Sequence, residues 1–314
     1  MSTSGITSKR WKILTNCSSI KRRVGHSITP SLSYRNLEDV CNAWVRKIQK
    51  SDQLKSVENT YGGRSFTEAV FVSDHLNADL HVISAGLGLV NRFDLIPNYN
   101  LTISQGSGSI AEWLSDKKLK SSDWWALLNE RLNQPKPILN LLQQSEGIIL
   151  AVPSTYLELI SEELQSISID ELEKLYIITS PSGQNNLTPI LKLRSLPYDE
   201  RLNGNFKYNG TRNDFPQRSL KHLITEVDFK NRSISAIRKE ILNFLDQHNK
   251  PLTPIRQKMD DEKIKKIIRL NWSTYEGKSH SLHRYLRDDA HIACEQKRFS
   301  NLWNEIKLEI SNEN

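Results

Sequence analysis

Residues 147–154 read Gly147-Ile148-Ile149-Leu150-Ala151-Val152-Pro153-Ser154. A short unbroken apolar run is the pattern of a strand buried on both faces, as in a parallel sheet. The Pro-Ser pair that ends it suits the start of a helix, expected over Tyr156 to Leu164. The pattern returns at Leu175 to Thr179, which stops at Ser180-Pro181-Ser182-Gly183. Toward the N-terminus, Trp11 to Leu14 has strand character and runs into Asn16-Cys17-Ser18-Ser19. Asp79 to Ser84 is a further strand, followed by the Gly-rich Ala85-Gly86-Leu87-Gly88 and a long polar segment to Asn100. Helical spacing lies between them. Leu37, Val40, Cys41, Trp44, Val45 and Ile48 form one stripe, and Thr67 to His75, Ile110 to Leu114, Trp124 to Leu132 and Phe215 to Val227 also read as helices. Leu196 to Asp214, rich in Gly, Asn and Pro, reads as a long loop.

Strands that alternate with helices predict an α/β fold, a mostly parallel sheet flanked by helices. In such sheets the ligand crevice lies beyond the carboxyl ends of the strands. Those ends are Asn16 to Ser19, Ser84 to Gly88, Ala151 to Ser154 and Ser180 to Gly183. All four are small and polar, which leaves room for a ligand and presents backbone N–H groups to it. The competing reading is that small residues are common after strands.

From Ile234 the character changes. Ile237, Ile241, Leu242 and Leu245 mark an amphipathic helix, and Met259 to Leu270 another. The second has acids near its start and bases further on, matching the helix dipole. This predicts an α/β domain over residues 1–230 and a helical, basic C-terminal domain over 231–314. In the latter, basic residues interleave with Trp272, Tyr275, His280, His283 and Tyr285, as a phosphate-tracking surface requires. A mixed-charge solvated bundle is the alternative.

The chain has 314 residues, 37% of them hydrophobic, and a formal charge of +7. That balance favours anionic partners. Cys17, Cys41 and Cys294 have spacings that give no disulfide framework or metal motif. With no membrane-length apolar run, the expectation is a soluble, cytoplasmic protein, a monomer without metal or cofactor. Phosphate-loop, zinc-hydrolase and nucleophile-elbow motifs are missing, and Gly86-Leu87-Gly88 lacks the third glycine of the dinucleotide fingerprint. Cys17 at a strand end is a candidate nucleophile, with Lys21, Arg22 and Arg23 nearby to activate it. A small buried thiol is the alternative.

Ile13 to Ser19 with Lys21 resembles the opening strand and loop of nucleobase-associated proteins related to the peroxide-stress protein family. Tyr61-Gly62-Gly63, Val82 to Leu89 and Ile96 to Thr102 resemble the central motif of the same proteins, with Asn100 where an acid is usual. Ser180-Pro181-Ser182 resembles the His-Pro-Ser loop of the uracil-DNA glycosylase superfamily, with Ser180 in place of the histidine. These stretches span roughly residues 10–225. Overall the chain resembles phage-defence DNA glycosylases that remove glucosylated hydroxymethylcytosine.

The resemblance implies excision of a flipped, modified base from double-stranded phage DNA, leaving an abasic site. Such a reaction needs a carboxylate to stabilise an oxocarbenium-like sugar and position water, and donors for the departing base. Asp94 is the expected carboxylate, with a turn-forming role as its alternative. Asn16 and Asn100 are expected to orient water or read the base, and Tyr99 to stack on it. Arg64 is expected to hold a phosphate or the added sugar. Cys17, Ser18, Tyr61, Gly62, Ser84, Gly86, Ser154, Ser180 and Ser182 line the expected substrate site. Lys21, Arg22, Arg23, Arg212, Lys278, Arg284 and Arg287 are the expected DNA contacts. Two other functions fit the same residues: a non-catalytic DNA-binding protein, and a base-processing enzyme acting on nucleosides or tRNA.

Overall fold

The structure is a computed structural model that describes residues 10–18, 20–22, 27–104, 108–252 and 255–313. Ser19 and Arg23, two of the residues singled out above, lie outside the described residues. The chain divides into two compact units, Met1–Pro251 and Leu252–Asn314.

The first unit is built on a five-stranded sheet. In chain order its strands are β1 (Trp11–Asn16), β3 (Asp79–Ser84), β4 (Gly88–Asn91), β6 (Gly147–Ala151) and β7 (Leu175–Ile178). Two short strands, β2 (Leu54–Ser56) and β5 (Leu95–Pro97), form a separate antiparallel pair. The sheet order is β4-β3-β1-β6-β7, parallel except for β4. Every residue of β6 and β7 is buried, as their continuous apolar runs require. Each such Ile or Leu contributes roughly 1.5–3 kcal/mol on burial.

The helices form where the periodicity places them. Helix Leu37–Gln49 turns Val40, Cys41, Trp44, Val45 and Ile48 into the core. Asn36 Oδ1 accepts from Asp39 N at 2.8 Å and caps it. Glu38 and Asp39 at its start and Arg46 and Lys47 at its end complement its dipole.

Three features depart from the sequence reading. The segment after β3 is no long loop: Ala85–Leu87 makes a tight hairpin and β4 runs back along β3, Gly88 opposite Ser84 and Asn91 opposite His81. The boundary also moves. Helix Ile234–Leu245 buries Ile237, Ile241 and Leu245 in the core of the first unit, so that unit extends to Pro251 rather than residue 230. The C-terminal unit, expected to be helical throughout, contains a two-residue parallel pair, β8 (Gln257–Lys258) with β9 (Ile292–Ala293).

The second unit has its own core of Ile264, Ile268, Leu282, Leu286, Phe299 and Ile306. Helices Asp261–Asn271 and Gln296–Glu313 are joined by the pairs Arg269–Glu309, Lys265–Glu305 and Arg298–Asp261. Among the described residues, no helix is long and apolar enough to cross a membrane.

Candidate active site

Strand β1 has β3 on one side and β6 on the other. The chain first winds to β3 and later crosses to β6, so the winding direction reverses between β1 and β6. In doubly wound sheets the ligand crevice lies outside the strand ends at such a reversal. The carboxyl ends that meet at this one are Thr15-Asn16 of β1 and Ala151 of β6.

One side chain ties the two ends together. Gln217, fully buried near the start of helix Phe215–Glu226, directs Nε2 at Thr15 Oγ1 and Asn16 Oδ1, both at 2.9 Å, and at the Ala151 carbonyl at 3.0 Å. Its own Oε1 is buried without a partner among the described residues. Leaving a buried acceptor unpaired costs about 1–3 kcal/mol, and such groups in native proteins need an explanation. Asn16 is thereby fixed, with Nδ2 donating to the Cys17 carbonyl at 3.1 Å. Asn16 itself is only partly buried.

A connected polar cluster lies beside it. Cys17 Sγ is 3.0 Å from Tyr156 Oη. Ser84 Oγ accepts from Gly86 N at 3.2 Å and Leu87 N at 3.1 Å, which occupies both lone pairs. Its proton is left for Tyr99 Oη at 2.6 Å, and Tyr99 in turn bonds Tyr61. Burial pushes the phenols of Tyr61, Tyr99 and Tyr156 upward, so all three stay protonated. Lys21 Nζ donates to the Tyr99 carbonyl at 2.6 Å. Burial holds this amine below the usual lysine range, with nearby Cys17 pulling the other way.

The rim is basic. The backbone of Ile20 and Arg22 bonds to Gly62 and Thr60, which sets residues 20–22 beside the start of helix Arg64–Leu76. Arg64, with 45% of its side chain exposed, approaches Glu68 at 3.6 Å and Asp214 at 3.9 Å. Arg218 is buried and reaches Asp214, Asn203 and the carbonyls of Tyr208 and Thr211, which pins the loop carrying Arg212. Arg22 and Arg212 are exposed.

The expected site residues divide accordingly. Asn16, Cys17, Ser18, Tyr61, Gly62, Arg64, Ser84 and Tyr99 gather around the ends of β1 and β3, and Ser154 follows β6. Tyr99 and Ser84 are internal links in the hydrogen-bond chain, and Tyr99, 1% exposed, offers no free face for stacking. Gly86 is sealed in: a side chain there would meet the Tyr99 ring at 2.8 Å and Trp44 at 3.1 Å. Its carbonyl is held by Trp44 Nε1 at 2.6 Å. Ser180 Oγ caps the turn of helix Pro181–Asn185 through Gly183 N at 3.2 Å and bonds Ser182. Asn100 bonds Ile28 through its backbone, with no bond to Asn16.

Asp94 is placed elsewhere. The hairpin carries the chain to the opposite end of β3, where Asp94 Oδ2 accepts from Asn91 N at 2.7 Å in an exposed turn. There it lines a cavity of about 340 Å3 with His81, Asn91, Asn133 and Asn140. Asp214, three residues before Gln217 at the N-terminus of the same helix, is buried and accepts from Arg218 Nε at 2.8 Å.

Lys278, Arg284 and Arg287 belong to the second unit. Lys278 pairs with Glu276 and Arg284 approaches Asp288 at 3.9 Å. The aromatic residues there serve the unit itself: Trp272 stacks on Trp303 with ring centroids 5.9 Å apart, and His283 on Phe299 at 4.7 Å.

Gln217, Tyr156 and Asp214 were not singled out in the sequence. Only Asp214 carried a local signal, as an acid at the start of a helix. No protein-family model matches the chain, and no curated protein matches it.

Proposed function

We propose that the chain is a DNA N-glycosylase whose site is the crevice between β1 and β6. The observation that carries this reading is the Asn16 carboxamide, partly exposed at the switch point and locked by Gln217. A fixed amide offers a donor and an acceptor to the edge of an extruded base, the way such enzymes read their target. Asp214 takes the carboxylate role first given to Asp94: it would stabilise positive charge on the sugar and orient water. Arg22, Arg64 and Arg212 supply a cationic rim for phosphates, which positions DNA without reading sequence. The resemblance extends the reading to glucosylated hydroxymethylcytosine in phage DNA and to antiviral defence.

The test is incubation with duplexes carrying cytosine, hydroxymethylcytosine, its glucosylated form or uracil. Mass spectrometry should find a free base, and alkali should cleave the strand at its position. Asp214→Asn and Gln217→Leu should each slow release at least ~10-fold, the loss of one positioned or charge-stabilising group. Intact DNA from all four duplexes overturns the reading. Salt-dependent binding without base release would then favour a DNA-binding protein, and release from tRNA or nucleosides alone a base-processing enzyme.

A further inference from the structure

Lys21 presents a primary amine at the strand-end cluster. Its Nζ lies 4.0 Å from the centroid of the Tyr99 ring and bonds the carbonyl of the same residue. The segment that carries it is stapled in place: Gly62 N donates to Ile20 O at 2.8 Å, Arg22 N to Thr60 O at 2.9 Å, and Lys21 bridges Tyr61. Among the described residues no carboxylate pairs with it. Lys12, Lys221 and Lys207 of this unit do pair with one, with Asp79, Glu68 and Glu226, while exposed lysines such as Lys55 do not. Lys21 lacks a carboxylate while partly buried. A lysine that only offsets phosphate charge gains by keeping its ammonium in water. This one is drawn over an aromatic ring beside a thiol, and the arginines of the rim cannot do what an amine can. Partial burial without a carboxylate partner weakens the hold of this amine on its proton, and the unprotonated amine is the form that attacks carbonyl carbon.

We propose that Lys21 is a nucleophile that forms an imine with the aldehyde of an abasic deoxyribose, giving the chain an abasic-site lyase activity. This rests on the reading of the strand ends as the DNA-base site, because base excision leaves such a sugar there. The Nζ lone pair attacks C1′ of the ring-opened sugar. An N–C bond forms and the carbonyl electrons move to oxygen, which leaves as water after protonation. The resulting protonated imine acidifies C2′. Loss of the C2′ proton to solvent gives an enamine, whose electrons form the C2′–C3′ double bond as the C3′–O bond breaks. The phosphate departs with that electron pair. Water then hydrolyses the imine and restores the amine, so no oxidant or reductant is consumed.

The experiment uses the full chain and a duplex whose single abasic site was made beforehand from uracil with a separate enzyme. Sodium borohydride reduces an imine to a stable secondary amine. The expected result is a covalent protein–DNA adduct that peptide mapping assigns to Lys21, with strand scission when borohydride is left out. Lys21→Arg should lose the adduct, and Lys55→Arg, at an exposed site on β2, should keep it. No adduct, an adduct on another amine, or an undiminished adduct in Lys21→Arg overturns the proposal. If thermal unfolding shows Lys21→Arg to be misfolded, peptide mapping of the unaltered protein decides. Base release is scored separately on modified duplexes. Release without an adduct removes the lyase alone, and an adduct without release removes the glycosylase reading and keeps the lyase.

Discussion

Gly88 opens β4 with φ +71, and a Cβ built there falls 2.4 Å from Asn129 Oδ1. A side chain would meet both an unfavourable backbone region, costing about 1–2 kcal/mol, and the amide of the buried Asn129. Gly88→Ala is therefore expected to destabilise the protein by about 2–4 kcal/mol, read as a lower denaturation midpoint in urea. His222 gives a pH-dependent counterpart. It is 1% exposed, its Nδ1 is 2.8 Å from Tyr198 Oη, and its ring lies 3.9 Å from that of Phe244. Burial lowers its pKa from 6.5 to about 4. Between those values the unfolded chain binds a proton that the native state refuses, so stability falls as pH drops through that window. The limit is about 3 kcal/mol by linkage. His222→Gln should flatten this part of the stability–pH curve, and an unchanged slope would falsify the assignment. At this scale the sequence was half legible. The place of Asn16 and Cys17 at a strand end was legible because strand ends are local patterns. Gln217 was not, because its bond to Asn16 spans 201 positions, and Asp94 was misplaced because its position depends on a hairpin read as a loop.

Strands β6 and β7 were readable because burial on both faces writes itself as a continuous apolar run. Strand β4 was hidden by its glycine and its brevity: Gly88–Asn91 is only four residues long and follows a Gly-rich turn. Helix Pro137–Gln144 was hidden for a different reason. Its starting residue, Lys136, has φ +48 and provides no side-chain cap. The cap comes from Glu163, whose Oε1 accepts from Ile138 N at 2.6 Å and Leu139 N at 3.0 Å, while Oε2 accepts from Trp125 Nε1 at 2.7 Å. Burial raises the Glu163 pKa, opposed by these three donors. A capping carboxylate 25 positions from its helix leaves no local trace. Glu163→Ala should leave two buried donors and a half-buried one unpaired and cost about 2–4 kcal/mol. Hydrogen exchange should speed up at Ile138 and Leu139 before it does in β6. Equal acceleration in both would mean that the carboxylate stabilises the whole unit rather than this helix.

At the level of the whole molecule, the change in character near Ile234 was real in the sequence but misled about the boundary. An amphipathic helix looks the same whether it opens a new domain or closes an old one, because its polar face is solvated in either case. What decides is where the apolar face goes, and Ile237, Ile241 and Leu245 go into the core of the first unit. Arg238 reinforces this through the carbonyls of Ser195 and Lys192, and Phe244 through its contacts with His222 and Tyr208. The two cores share no residue, so each unit meets the basic condition for folding alone. A chain ending at Pro251 should therefore retain cooperative unfolding and the far-ultraviolet circular dichroism of a mixed α/β fold. One ending at residue 230 loses three fully buried aliphatic side chains. At roughly 1.5–3 kcal/mol each, their loss approaches the 5–15 kcal/mol that holds a typical domain together. That shorter chain is expected to unfold without a sharp transition. The contrast between the two truncations tests the boundary directly: cooperative unfolding of both would return helix Ile234–Leu245 to the C-terminal unit.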